Sequence, residues 1–202
     1  MRWAEQRIPK GQRLRRSAAA ARVCAAVVVC LLVCPPLWCQ NDQPSEYQVK
    51  AAFLVNFAKF IEWPPDKTSA QAPFAICVLG QNPFGPLLDN MVNGKMLGDR
   101  HITVRQCQSE ADARTCQIVF VGKAEMARLP TAIKALRGAN ILLVGEANGF
   151  AVNGGAIEFF VQDDHIRFRI NPEAVNRAGL TVSSKLLALA TIVHEGSNDG
   201  KS

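Results

Sequence analysis

Phe74-Ala-Ile-Cys-Val-Leu79-Gly80 is a continuous apolar run closed by a glycine. A run of this length with no polar alternation reads as a strand buried on both faces, the kind found in the middle of a parallel sheet. The same signature recurs twice downstream. Gln117-Ile-Val-Phe-Val121 ends at Gly122, and Ile141-Leu-Leu-Val144 ends at Gly145. Ile102 to Cys107 alternates instead and reads as a strand near an edge. Helical segments separate these runs: Pro83 to Met91 is predicted as a short helix, and Glu125 to Arg137 as a longer one closed by Gly138.

Beyond Gly145 the rhythm changes. Ala156 to Gln162 and His165 to Ile170 flank Asp163-Asp164, which predicts a β-hairpin. Asn171-Pro172-Glu173 opens a short helix with an N-cap and a proline at the first helical position, and Gly179 stops it. Ser183-Ser184 then caps a final helix, Lys185 to Val193, with Leu186, Leu187, Leu189 and Ile192 expected to face inward. Alternating strands and helices predict a single doubly wound α/β domain over residues 45–194. The expected layout is a mostly parallel central sheet with helices on both faces and the hairpin at one edge. Its first four strands are expected in the flavodoxin-like order 2-1-3-4.

The opening helix carries an oddity. Tyr47-Gln-Val-Lys-Ala-Ala-Phe-Leu-Val-Asn-Phe-Ala-Lys-Phe-Ile-Glu-Trp-Pro64 is almost solidly apolar. At about 100° per residue, Val49, Phe53, Leu54, Phe57, Phe60 and Ile61 share one arc, and Lys50 falls in the middle of it. A lysine there is paired, snorkels off the helix end or faces a partner. Pro64-Pro65 ends the segment.

Residues 1–40 differ from everything after them. Arg2, Arg7, Lys10, Arg13, Arg15, Arg16 and Arg22 form a basic leader with Glu5 as its one acid, followed by an apolar run from Val23 to Val33. That is the layout of a secretory signal, with an uncleaved anchor as the alternative. Ala-x-Ala is absent, so the cleavage site is not marked, and Trp38 argues against a lipidated Cys39. The formal charge of +6 comes from 23 bases and 17 acids; removing the leader's seven bases and one acid leaves 16 of each. The exported body is therefore neutral, and the basic balance of the whole chain does not point to nucleic acid. Residues 195–202 form a polar tail.

Four cysteines, Cys24, Cys30, Cys34 and Cys39, lie in or beside the leader, and Cys77, Cys107 and Cys116 lie in the body. An oxidising compartment permits a disulfide among the three but leaves one odd, and sequence alone does not choose the pair. No Cys/His spacing supports zinc. A phosphate cradle and a Gly-x-Ser-x-Gly elbow are both absent. Ser183-Ser184-Lys185 reads as a helix cap, and Asp163-Asp164 as turn chemistry rather than a carboxylate pair. No catalytic residue, metal ligand or cofactor is assigned. Three failed searches shift the expectation toward a binding or regulatory module.

The Tyr47–Pro64 block resembles the opening signature of the YfiR family. So do Ile76-Cys-Val-Leu-Gly80, Pro83-Phe-Gly85, Cys116-Gln-Ile-Val-Phe-Val121, Gly149-Phe150, Gly154-Gly155-Ala-Ile157, Arg167-Phe-Arg-Ile-Asn171 and Ala178-Gly-Leu-Thr-Val-Ser-Ser-Lys-Leu-Leu187. The blocks run in family order from about Glu46 to Val193. The resemblance implies a periplasmic α/β protein that tends to dimerise. It implies inhibition of an inner-membrane, YfiN-like diguanylate cyclase, and an outer-membrane YfiB-like partner that sequesters the inhibitor. It also implies a stabilising disulfide between Cys77 and Cys116. Two features depart from the resemblance: the family's better known member has a second disulfide near the segment matching Gly149 to Gly155, where this chain has no cysteine, and Cys107 is extra, either free or paired with Cys39. The expected partner-binding residues lie on the opening helix and the segment Arg167 to Leu187, with Lys50, Arg167, Leu180, Ser184 and Leu187 as its members. A periplasmic small-molecule sensor and a thiol-dependent enzyme are the competing readings.

Overall fold

A computed structural model describes residues 45–64 and 72–196. The expected leader, residues 1–40, lies outside the described residues, as do residues 197–202 of the tail. Helix α1 (Glu46–Phe60) opens the body. It is followed by β1 (Ile61–Glu62), β2 (Phe74–Leu79), α2 (Leu87–Val92), β3 (Met96–Leu97) and β4 (Arg100–Cys107). Next come α3 (Glu110–Ala113), β5 (Ile118–Val121), a 3-10 turn (Lys123–Arg128), α4 (Leu129–Leu136) and β6 (Leu142–Gly145). The chain closes with β7 (Ile157–Gln162), β8 (His165–Ile170), α5 (Pro172–Arg177), β9 (Thr181–Val182), α6 (Ser184–Leu187) and β10 (Thr191–Ile192).

The main sheet has eight strands in the order β10-β8-β7-β6-β5-β2-β4-β3. The four strands read from sequence as the core, β2, β4, β5 and β6, are parallel and sit in the expected 2-1-3-4 order. β7 joins parallel to β6, and β8 turns back antiparallel on β7. The hairpin is closed by Asp163 and Asp164, whose φ angles of 50° and 58° are both left-handed. Two consecutive positive φ values are what a type I′ turn demands, and Asp tolerates them because its short side chain bonds locally.

Strand alternation splits the core into two layers. Phe74, Ile76 and Val78 of β2 enter the layer under α1, α2 and α5. Ala75, Cys77 and Leu79 enter the opposite layer, under α3 and α4. The first layer is aromatic: Phe57 stacks on Phe159 at 5.7 Å, and both Phe53 and Phe57 meet Phe168 edge-on at 5.3 Å.

Three elements depart from expectation. The final helix ends at Leu187, and Thr191–Ile192 forms a short parallel strand on β8 instead. Leu189 is 70 % exposed and Ile192 41 % exposed, so only Leu186 of the expected apolar face is fully buried. The opening helix ends at Phe60, before the prolines, because Ile61–Glu62 pairs antiparallel with Val182–Thr181. Its buried face is Lys50, Ala51, Leu54, Val55, Phe57 and Ala58, while Phe60 is exposed. Finally, the helix expected over Glu125 to Arg137 is a 3-10 turn that becomes α-helical only at Leu129, with Pro130 in its first turn, where proline is tolerated.

Candidate functional site

Glu146 follows directly on β6, at the carboxyl end of the parallel sheet, where α/β folds usually hold their ligands. Helix α1 begins above it. Ser45 caps that helix in a reciprocal box with Gln48, which fixes where its first turn lies. Glu46, Tyr47 and Lys50 are thereby held over the strand end. Lys50 Nζ donates to Glu146 Oε2 at 2.5 Å and also to Glu46 Oε1. Tyr47 Oη and the Lys123 backbone N–H both donate to Glu146 Oε1, at 3.4 and 3.2 Å. The lysine set in an apolar arc is thus a paired lysine. A cation near a helix N-terminus opposes the helix dipole, and the two carboxylates offset that cost.

Burial lowers the affinity of Lys50 for its proton, but the bonds to Glu146 and Glu46 outweigh burial and hold the ammonium above its ordinary range. Burial, reinforced by the Glu146 charge, pushes the Tyr47 phenol up as well. Beside this cluster opens a crevice of about 410 Å3 lined by Glu46, Tyr47, Lys50, Lys123, Glu146 and the strand residues Phe159 to Val161. It offers acids, ammonium groups and aromatic faces.

The segment between Gly149 and Gly155 holds no cysteine and is pinned by packing and hydrogen bonds. Phe150 is fully buried against two glycines; a Cβ on Gly145 or Gly155 would come within 2.4 or 2.1 Å of its ring. Glu158, 1 % exposed, accepts the backbone N–H groups of Gly149 (3.3 Å) and Ala151 (2.9 Å), and Arg169 Nη1 at 2.7 Å. Asn171 donates to the Ala151 carbonyl at 2.8 Å while capping α5 through Ala174 N–H.

The expected partner-binding residues differ in burial. Lys50 and Leu180 are 3 % and 2 % exposed, so their side chains support the surface from beneath. Arg167 and Ser184 are exposed, and Leu187 is half-buried against the first core layer. On the outer face of the hairpin Arg167 lies opposite Phe160, and the Arg169 guanidinium sits over the Phe160 ring at 4.0 Å. Val161 at the hairpin tip is 58 % exposed.

In the second core layer Cys77 and Cys116 are joined by a disulfide with their Cα atoms 6.0 Å apart. Cys107 is a buried thiol whose Sγ lies 3.9 Å from Cys116 Sγ. All three sulfurs fall within 4.8 Å of one another. Sequence spacing gave no sign of this, because the register that sets Leu79 opposite Cys107 is a non-local property of the sheet. Cys39, the other partner considered for Cys107, lies outside the described residues.

Residues 47–191 match the family described as YfiR/HmsC-like, and the chain belongs to that family. No curated protein matches the chain. Among the described residues, no helix is long and apolar enough to cross a membrane.

Proposed function

We propose that this YfiR/HmsC-like chain is an exported regulatory binding protein that restrains a membrane-bound diguanylate cyclase through the cyclase's periplasmic part. It would thereby lower cyclic-di-GMP and biofilm formation. The observation that carries this reading is the extent of the family match, which spans α1 to β10. The basic, then apolar leader over residues 1–40 supports delivery to the periplasm. The neutral body and the absence of catalytic sequence motifs favour binding over catalysis. An outer-membrane, YfiB-like protein is the proposed counter-partner, and a homodimer the proposed assembly.

The contact residues we assign are Arg167 on the hairpin and Ser184 and Leu187 on α6, while the buried Leu180 and Lys50 hold in place the elements around them. Arginine beside exposed apolar side chains suits a partner surface with acidic and apolar patches. Direct binding tests this. The chain and the isolated periplasmic segment of a YfiN-like cyclase should associate at micromolar concentration or tighter, roughly −8 kcal/mol or better. No association at that concentration contradicts the reading.

The crevice beside Lys50 and Glu146 favours a second reading, a small-molecule sensor that feeds a membrane receptor. A thermal-shift screen of small polar metabolites separates the two. A stabilising ligand that leaves cyclase binding unchanged supports sensing through another receptor.

A further inference from the structure

The three body cysteines form a buried sulfur triangle. Cys107 Sγ is 3.9 Å from Cys116 Sγ, and none of the three sulfurs is more than 4.8 Å from another. A metal bound by three thiolates at about 2.3 Å spaces its sulfurs roughly 4 Å apart. The Cys107–Cys116 edge already has that length. The Cys77–Cys107 edge is at most 4.8 Å, and the third edge, Cys77–Cys116, is closed by the disulfide.

We propose that reduction of Cys77–Cys116 converts this cluster into a three-thiolate site for Cu(I). A dithiol donor supplies two electrons and two protons: the S–S bond breaks, Cys77 and Cys116 become thiols, and the donor closes its own disulfide. Cu(I) then takes the sulfurs of Cys77, Cys107 and Cys116, their thiol protons pass to solvent, and the copper keeps its oxidation state.

Three observations select this ion. No histidine or carboxylate joins the cluster among the described residues, so the fourth ligand of a structural zinc site is missing. All-thiolate coordination suits soft Cu(I). The sulfurs lie in an apolar layer with Ala75, Leu79, Ala113 and Val119, which keeps competing water ligands out. Cys107 also has no disulfide of its own, so its place beside the bridge is accounted for by a role that appears once the bridge opens.

The test uses the full chain with Cys24, Cys30, Cys34 and Cys39 changed to serine, so that Cys77, Cys107 and Cys116 are the only cysteines left. After anaerobic reduction with a phosphine, it is titrated against the Cu(I)–bicinchoninate complex. The expected result is transfer of one Cu(I) per chain from the chelator, none to the unreduced protein, and at least about tenfold weaker binding by Cys107→Ser and Cys107→Ala. Near-UV circular dichroism reports on the fold throughout. Equal binding by the Cys107 variants overturns the proposal, as does equal binding by the oxidised protein. Failure of the reduced chain to take copper overturns it too, including the case where reduction loosens the fold and Cu(I) does not restore it.

Discussion

Lys50 Nζ and Glu146 Oε2 lie 2.5 Å apart although 96 positions separate them in sequence, and their side chains are only 4 % and 5 % exposed. The pair ties the first turn of α1 to the end of β6 and so closes one wall of the crevice. Removing one partner strands a buried charge, which costs far more than losing an exposed ion pair. Lys50→Ala should therefore lose about 3–5 kcal/mol of stability in a urea titration. Arg167→Ala, on the surface, should stay within about 0.5 kcal/mol. The double replacement Lys50→Met with Glu146→Leu should recover most of the loss, because no buried lone charge remains and the Glu46 left behind is 49 % exposed.

The same cluster sets a response to base. Lys50 and Tyr47 both bind their protons more tightly in the folded state than their ordinary values of 10.5 and 10.0. A raised folded value means that the contribution is complete below the unfolded value and lost as pH rises through the folded one. Thermal stability should fall from about pH 10 upward, and Lys50→Met should flatten that fall. A melting-temperature profile in alkaline buffers checks this.

Phe150 packs the Gly149–Gly155 segment against Gly145 without a covalent bond. Phe150→Ala should cost about 3–5 kcal/mol and open the segment from Gly149 to Gly155 to hydrogen exchange. Gly155→Ala, which drives a methyl into the same ring, should destabilise by about 1–3 kcal/mol through overpacking. Neither effect should depend on a reductant.

The disulfide closes a loop across 39 positions. In the chain-entropy picture that constraint stabilises the fold by roughly 4 kcal/mol, with strain able to reduce it. Cys77→Ala with Cys116→Ala should lower the urea midpoint by a corresponding amount, and the midpoint of the double variant should no longer change on adding a reductant.

The parallel core was legible because β2, β5 and β6 are uninterrupted apolar runs that stop at glycines or just before them, a pattern few other structures produce. The hairpin was legible because Asp163-Asp164 separates two runs of strand-forming residues. What escaped was non-local. Leu186, Leu187, Leu189 and Ile192 satisfy a helical period, yet Val193 N–H finds the Ile170 carbonyl at 3.0 Å, and this sheet-edge pairing draws Thr191–Ile192 into a strand. The wheel placed Lys50 in an apolar arc but could not supply Glu146, which only the sheet order brings near. Cys107 looked surplus because its distance from Cys116 depends on the β2–β4 register.

Arg167→Glu with Leu187→Ala should leave folding intact, since Arg167 is exposed and Leu187 only half-buried, while weakening partner binding by at least about tenfold, or 1.4 kcal/mol. Circular dichroism confirms the fold, and the direct binding assay reads the loss.

The most direct measurement is cellular cyclic-di-GMP in a strain that expresses a YfiN-like membrane diguanylate cyclase, with and without the chain. The expected result is a lower cyclic-di-GMP level when the wild-type chain is present, and a return toward the uninhibited level with Arg167→Glu and Leu187→Ala. An unchanged level on adding the wild-type chain, with the protein folded and exported, contradicts the regulatory role.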